Sequence, residues 1–186
     1  MRADAAGQGC GRNRSRTGFT LAELLVGLSI AMLLAGLALP SWTSWLAEKR
    51  VQAAGSRLFL ALAASRRTAM GAGARVRLCA VDGTASADRC STRRDWAGGW
   101  VSLLEAAGSW SRLQGSGPLT DGVRVEVGAV QLQDGVVFDA RGFATQSAGG
   151  FAAGTWLICA RGARGQTLTL APSGRVRISL GASCSA

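Results

Sequence analysis

The sequence lacks histidine and tyrosine, and charged residues make up only 17% of its 186 residues. The absence of histidine excludes a Ser-His-Asp or Cys-His mechanism, a histidine-ligated zinc site and a histidine proton shuttle. There is also no G-x-S-x-G motif, paired-carboxylate spacing or phosphate-binding loop. Acids are scarce, since 21 Lys and Arg oppose 11 Asp and Glu. These absences predict a protein that packs and binds, with no catalytic residues, no cofactor and no metal.

Hydrophobic residues make up 48% of the chain, and residues 19–39 form one long apolar run. A helix of that length spans roughly 30 Å, the thickness of the hydrocarbon core of a bilayer. Four arginines and one acid precede the run, so the positive-inside rule predicts a cytoplasmic N-terminus and an exported remainder. The alternative is a buried core helix. Glu23 is the one charge inside the run, and a carboxylate within a membrane needs a partner.

The residues at the start of this run carry a resemblance to a known processing site. They read Arg16-Thr17-Gly18-Phe19-Thr20-Leu21-Ala22-Glu23. The motif resembles that of type IV prepilins and type II secretion pseudopilins. The resemblance implies that a prepilin peptidase removes the leader, residues 1–18, between Gly18 and Phe19, and that Phe19 is then N-methylated. It also implies that Glu23 neutralises the N-terminal amine of a neighbouring subunit, and that Pro40 marks a point where the family's long helix is often kinked.

After the apolar run, the pattern stays helical to about residue 71. Small and apolar residues recur there at spacings of three and four: Ala54, Leu58, Leu62, Ser65 and Ala69. We therefore expect one helix from about 20 to 71, with a transmembrane or assembly half at 19–39 and an amphipathic half at 40–72. The amphipathic half would present its apolar face to a domain at 73–186.

From residue 74 the apolar period changes to two, which is typical of strands. About seven short, mostly antiparallel strands are predicted: 75–79, 100–104, 123–127, 135–138, 155–159, 167–170 and 175–178. Residues 81–95 and 141–154 are predicted loops. The expected fold class is α+β, a long N-terminal helix packed on a β-domain.

Five short segments of this second half carry a further resemblance: Val76-Arg77-Leu78-Cys79, Trp96-Ala97-Gly98-Gly99-Trp100, Val137-Phe138-Asp139-Ala140-Arg141-Gly142, Trp156-Leu157-Ile158-Cys159 and Ser173-Gly174-Arg175-Val176-Arg177-Ile178. Together they resemble the GspH/FimT family of minor pilins and pseudopilins. The resemblance implies a pilin-like fold and a structural role in a filament. The partners would be other major and minor pilins or pseudopilins.

Five cysteines are present, and Cys10 would leave with the leader. The four that remain permit three pairings, and an even count in an exported domain favours disulfides. We expect Cys79–Cys90 and Cys159–Cys184, because each encloses a plausible hairpin or tail. Free buried thiols and a four-thiolate zinc site are the alternatives.

Residues 140–186 contain five arginines and no acid. In the segment 174–178, strand alternation would direct Arg175 and Arg177 outward, where they could contact successive phosphates. This Gly-Arg-x-Arg element resembles one near the C-terminus of FimT-like minor pilins of naturally competent bacteria that is associated with binding DNA for uptake. The resemblance implies double-stranded DNA as a partner, and Arg161 and Arg164 could add to the site. The alternative is that these arginines are simply solvated.

The six tryptophans favour packing over base recognition. Trp42 and Trp45 follow the apolar run and suit a membrane interface. The others could stack bases, but in a small β-domain we expect them in the core: Trp96, Trp100, Trp110 and Trp156.

Two functions remain open. The first is a minor type IV pilin in pilus assembly or the tip complex, with DNA uptake as an added role. The second is the homologous GspH-like minor pseudopilin of a type II secretion system. In both, the chain would cross the inner membrane once, with its C-terminal domain in the periplasm, before it joins a filament.

Overall fold

A computed structural model describes residues 18–83, 89–93 and 95–184 of the chain. The side chains of residues 37–41, including Pro40, lie outside the described part, as does the predicted leader up to residue 17 with Cys10. The chain divides into two compact units, and the boundary falls between residues 39 and 40. Each unit is described by itself below.

Helix α1 spans Leu21–Ala72, close to the limits that the sequence predicts. Every described side chain between Leu21 and Gly36 is exposed. Within the described residues, no helix is both long and apolar enough to cross a membrane. The transmembrane role expected of residues 19–39 stays a prediction, and its last three residues have side chains outside the described part.

The second unit contains nine described strands: β1 Val76–Ala80, β2 Trp100–Ala106, β3 Ser109–Ser116, β4 Val123–Val127, β5 Val136–Phe138, β6 Ala144–Thr145, β7 Gly154–Ala160, β8 Gly165–Leu170 and β9 Val176–Ala182. They form a five-stranded sheet in the order β3-β2-β1-β5-β6 and a four-stranded sheet in the order β4-β7-β8-β9. All strand pairs are antiparallel. Two 3-10 turns, Trp96–Gly98 and Val130–Leu132, connect them. The predicted α+β class, a helix packed on antiparallel strands, is confirmed.

Two strands were not expected from the sequence. Strand β3 is an edge strand whose side chains are mostly exposed on both faces, so its sequence shows no apolar alternation. Strand β6 has two residues, too few for a periodic signal, and lies inside the predicted loop 141–154. The other predicted loop, 81–95, includes residues 84–88 and 94, which lie outside the described part.

The core forms where one face of α1 meets the two sheets. The helix residues that the sequence assigned to this face are all buried: Ala54, Leu58, Leu62, Ser65 and Ala69. Leu58 and Leu62 are fully buried, and each contributes about 1.5–3 kcal/mol by leaving water. Beneath them, Trp96 and Trp156 meet edge to face with ring centroids 5.4 Å apart. The helical period therefore predicts which side chains fill the core.

The tryptophan prediction is correct for three of its four members. Trp96, Trp100 and Trp156 are buried. Trp110 lies on β3 and is 36% exposed, with the Arg75 guanidinium 6.0 Å from its ring. The core prediction is wrong for Trp110, because it lies on an edge strand whose side chains are mostly exposed.

A buried hydrogen bond joins the helix to the five-stranded sheet. The hydroxyl oxygens of Ser65 and Ser102 are 2.8 Å apart, and both residues are buried. Each hydroxyl satisfies the other, so neither is left unpaired in the core. The pair fixes the position of α1 against β2.

Two disulfides link elements of the β-domain, with the pairing that the cysteine spacing favours. Cys79 at the end of β1 bonds Cys90, and Cys159 on β7 bonds Cys184 after β9. The second bond joins cysteines that are 25 positions apart in the sequence, and it holds the end of the described chain against the four-stranded sheet.

Candidate functional site

The N-terminal motif forms a capping box at the start of α1. The Thr20 backbone N–H donates to the Glu23 carboxylate at 2.9 Å, and the Glu23 N–H donates to the Thr20 hydroxyl at 3.2 Å. A Thr-x-x-Glu pair satisfies two N–H groups that a helix start leaves without partners. Glu23 therefore has a local structural role beside the assembly role expected of it. Gly18 and Phe19 precede the helix and are exposed.

The four arginines proposed for DNA binding lie at opposite ends of β8. Arg161 and Arg164 occupy the turn between β7 and β8, and Arg164 pairs with Glu48 at 3.2 Å. Arg175 and Arg177 lie on the turn before β9 and on β9 itself. Because β8 has six residues, the two pairs are about 20 Å apart along the strand. The structure does not bring the four together.

Arg175 and Arg177 are both exposed, and the strand register shows that Arg177 points away from the core. Arg177 is opposite the exposed Thr169 on β8, whereas Val176 is opposite the buried Leu170. Ile178 shares the inward face, yet it is 39% exposed because β9 is an edge strand. Arg175 also lines a shallow cavity of 370 Å³ beside α1, together with Arg66 and Arg67.

Arg66 joins two turns to the helix. Its Nε donates to the Gly142 carbonyl at 2.9 Å and its Nη2 donates to the Ser173 carbonyl at 3.2 Å. Gly174 has a φ of 75°, and a Cβ there would meet the Gly142 carbonyl oxygen and the Arg66 side chain. This contact brings the turn at 139–143 against the turn at 171–175.

Asp139 builds the first of these turns. Its Oδ1 accepts from the backbone N–H groups of Arg141, at 2.9 Å, and of Phe143, at 2.8 Å. Its Oδ2 pairs with the Arg141 guanidinium at 3.3 Å. Burial alone would raise the pKa of Asp139, but these hydrogen bonds and the Arg141 charge together lower it below its ordinary value. The carboxylate is thus held ionised, and it fixes the positions of Arg141 and Phe143.

Two exposed aromatic rings lie in and beside the turn at 139–143, and the sequence pattern did not predict a role for them. Phe143 is 38% exposed and Phe151 is 65% exposed, with ring centroids 6.3 Å apart. The Arg141 guanidinium lies 5.4 Å from the centre of the Phe143 ring. The available signal was that these are the two aromatic residues of a segment otherwise rich in glycine, alanine and polar residues, 141–154.

We call this assembly the basic corner: Arg66, Arg67, Arg141, Phe143, Phe151, Arg175 and Arg177. Its guanidinium groups can donate hydrogen bonds to phosphate oxygens, and its rings can stack on flat ligands. Asp139 is engaged by Arg141 and leaves the corner positive. Among the described residues, no cluster of three or more Cys, Asp or Glu is placed to hold a metal ion.

Two segments of the chain match known protein families. Residues 13–39 match the prokaryotic N-terminal methylation motif. Residues 54–174 match the family described as type II transport protein GspH. The chain belongs to the GspH family. No curated protein matches it by sequence.

Solved structures share the fold of this GspH family member. The type IV minor pilin FimU of Pseudomonas aeruginosa matches with a TM-score of 0.53 and 18% identity, over 70% of this chain and 89% of that one. The minor pseudopilin EpsH of the Vibrio cholerae type 2 secretion system matches with a TM-score of 0.51 and 10% identity, over 70% of this chain and 97% of that one. Identities this low establish the fold alone.

The family and the fold are those of structural pilin and pseudopilin subunits, not of enzymes. The predicted resemblance to the GspH/FimT family is confirmed. The methylation motif and the GspH family together imply an envelope-associated subunit of a pilus or pseudopilus.

Proposed function

We propose that this protein is a minor type IV pilin that takes part in pilus assembly or the tip complex and binds DNA for uptake. The observation that carries the proposal is the exposed pair Arg175 and Arg177 on the edge of the four-stranded sheet. Arginines elsewhere on the basic corner add to the positive potential there. A protein that neutralises phosphates in this way gains affinity by releasing counterions.

The proposal includes the maturation that the N-terminal motif supports. The prepilin peptidase cuts between Gly18 and Phe19, and Phe19 is methylated. Residues 19–39 hold the precursor in the inner membrane, with the C-terminal domain in the periplasm. On assembly, Glu23 gives up its capping contact with Thr20 and binds the new N-terminal amine of a neighbouring subunit. The carboxylate and the amine carry opposite charges and attract each other strongly in the low dielectric of the filament.

The second candidate function is a minor pseudopilin of a type II secretion system. It is favoured by the family description, type II transport protein, and by the fold shared with EpsH. In that case the basic corner would contact other pseudopilins or exported proteins rather than DNA.

The experiment that tests DNA binding is a titration of duplex DNA with the full chain in a non-ionic detergent, at several salt concentrations. Arg175→Ala combined with Arg177→Ala should weaken binding and reduce the slope of log affinity against log salt by about 2, because two phosphate contacts are lost. Affinity and slope equal to those of the wild type would refute the proposed site.

The chain provides a matched control in Arg161→Ala combined with Arg164→Ala. This variant removes the same charge from the same acid-free segment, but at the other end of β8. Its effect should be clearly smaller. An equal loss from both double variants would mean that DNA responds to the net charge alone and not to the basic corner.

A further inference from the structure

The basic corner carries a feature that phosphate binding does not explain, an open aromatic ring held in a fixed position. Phe151 forms a bridge with Thr145, and the Gln146 side chain donates to the Phe151 carbonyl at 3.0 Å. The Gln146 N–H also donates to the Gly150 carbonyl at 3.0 Å, which closes the loop before Phe151. The backbone is therefore ordered while the ring stays 65% exposed.

The neighbouring ring braces this position. The centroid of the Phe143 ring lies 6.3 Å from that of Phe151 and 5.4 Å from the Arg141 guanidinium. Phe143 therefore has part of its surface covered, whereas Phe151 offers an open face. A ligand that stacks on Phe151 would meet a ring whose surroundings are already ordered, so little conformational entropy remains to be lost on binding.

Charge decides which class of ligand fits. The turn that holds Arg141 and Phe143 is joined to the turn that leads to Arg175, since the Ala144 N–H donates to the Pro172 carbonyl at 2.9 Å. An apolar protein surface placed on Phe151 would remove water from the adjacent guanidinium groups and offer them no hydrogen-bond or ionic partner, which costs free energy. A polyanion that carries flat rings would instead pair with them.

We infer that the basic corner binds single-stranded nucleic acid, with a base stacked on Phe151 and the flanking phosphates at Arg141 and Arg175. The inference rests on the proposed DNA-binding function and adds single strands to the duplex as ligands of the same site. In a duplex the base faces are stacked on one another, so only an unpaired base can reach the ring. Aromatic rings beside arginines are the usual platform for single strands.

The test compares three labelled probes of equal length with the full chain in non-ionic detergent. They are an oligothymidylate, an abasic oligonucleotide with the same phosphates, and a duplex. The wild type should bind the oligothymidylate about tenfold more tightly than the abasic strand, since one stacked base provides that much. Phe151→Leu keeps an apolar side chain but removes the ring, and should abolish this preference. Phe151→Trp should retain it.

Trp110→Leu is the matched control. Trp110 is also an exposed aromatic residue beside an arginine, Arg75, but it lies on β3, at the opposite edge of the sheet from β6. Four strand spacings, about 19 Å, separate the two edges. The variant should bind all three probes like the wild type.

The outcomes separate this inference from the proposed function. Single-strand stacking is refuted if the wild type binds the oligothymidylate no more tightly than the abasic strand, or if Phe151→Leu keeps the preference for the oligothymidylate. Duplex binding through Arg175 and Arg177 can still stand in either case. If the wild type binds none of the probes, both fail. If Phe151→Leu impairs filament assembly while binding to all probes is unchanged, Phe151 is a contact for another subunit and the inference is overturned.

Discussion

Arg66 is the residue on which the geometry of the basic corner depends. It donates one hydrogen bond to each of the two turns, at Gly142 and at Ser173. Each bond contributes about 1 kcal/mol net, and the aliphatic stem of the half-buried side chain adds packing. Arg66→Ala should therefore lower the free energy of unfolding by about 2–3 kcal/mol. For a domain of this size that corresponds to a loss of about 5–10 °C in melting temperature.

The comparison with Arg67 makes this prediction specific. Arg67 is the next residue on α1, is exposed, and carries the same charge. Arg67→Ala should change the stability by less than about 0.5 kcal/mol, as is usual for exposed surface positions. Arg66→Lys keeps the charge but lacks the forked donor that reaches both carbonyls, so it should lose most of the stability that Arg66→Ala loses.

The assay is thermal unfolding of the full chain in detergent, followed by circular dichroism, together with amide hydrogen exchange. Exchange should accelerate in Arg66→Ala at the turn amides of Gly142 and Gly174, which donate to Asp139 and Ala171. Equal melting temperatures for Arg66→Ala and Arg67→Ala, with unchanged exchange at these amides, would refute the account of the corner.

Three further predictions concern the framework around the site. Ser65→Ala should destabilise the protein by about 1–3 kcal/mol because it leaves the buried Ser102 hydroxyl unpaired, while Ser65→Ala with Ser102→Ala should come closer to the wild type in chemical denaturation. Because folding lowers the pKa of Asp139, its carboxylate stabilises the protein above the ordinary carboxyl pKa, and this contribution is lost as the pH falls through the lowered value. In urea unfolding, the difference in stability between the wild type and Asp139→Asn should therefore shrink below about pH 4. Cys159→Ser with Cys184→Ser should cost about 3 kcal/mol, and an intact protein of unchanged stability would contradict a structural role for that disulfide.

The helix and its packing face could be predicted because both depend on local periodicity. Ala54, Leu58 and Leu62 recur at helical spacing since one face of α1 is buried along its second half. Most strands could be predicted because each has one buried and one exposed face, so apolar and polar residues alternate along it. Strand β3 lacks that signal because it is solvent-exposed on both sides at the edge of its sheet.

The basic corner could be predicted only in part. Arg175 and Arg177 are both exposed, as the sequence pattern predicted, although only Arg177 lies on a strand. The sequence did not show that Arg66 would meet turns 76 and 107 residues away, because such contacts depend on tertiary packing. It also grouped Arg161 with Arg175 as parts of one basic tail, although β8 places them at opposite ends of the strand.

The most direct test of the central claim is genetic. The gene is deleted, and natural transformation, pilus-dependent motility and protein secretion are scored separately, with complementation by the wild type or by Arg175→Ala with Arg177→Ala. A minor pilin that binds DNA predicts that deletion lowers transformation while secretion is unchanged, and that the double variant restores motility but not transformation. Loss of secretion with transformation and motility intact would contradict the account and assign the chain to a type II secretion pseudopilus.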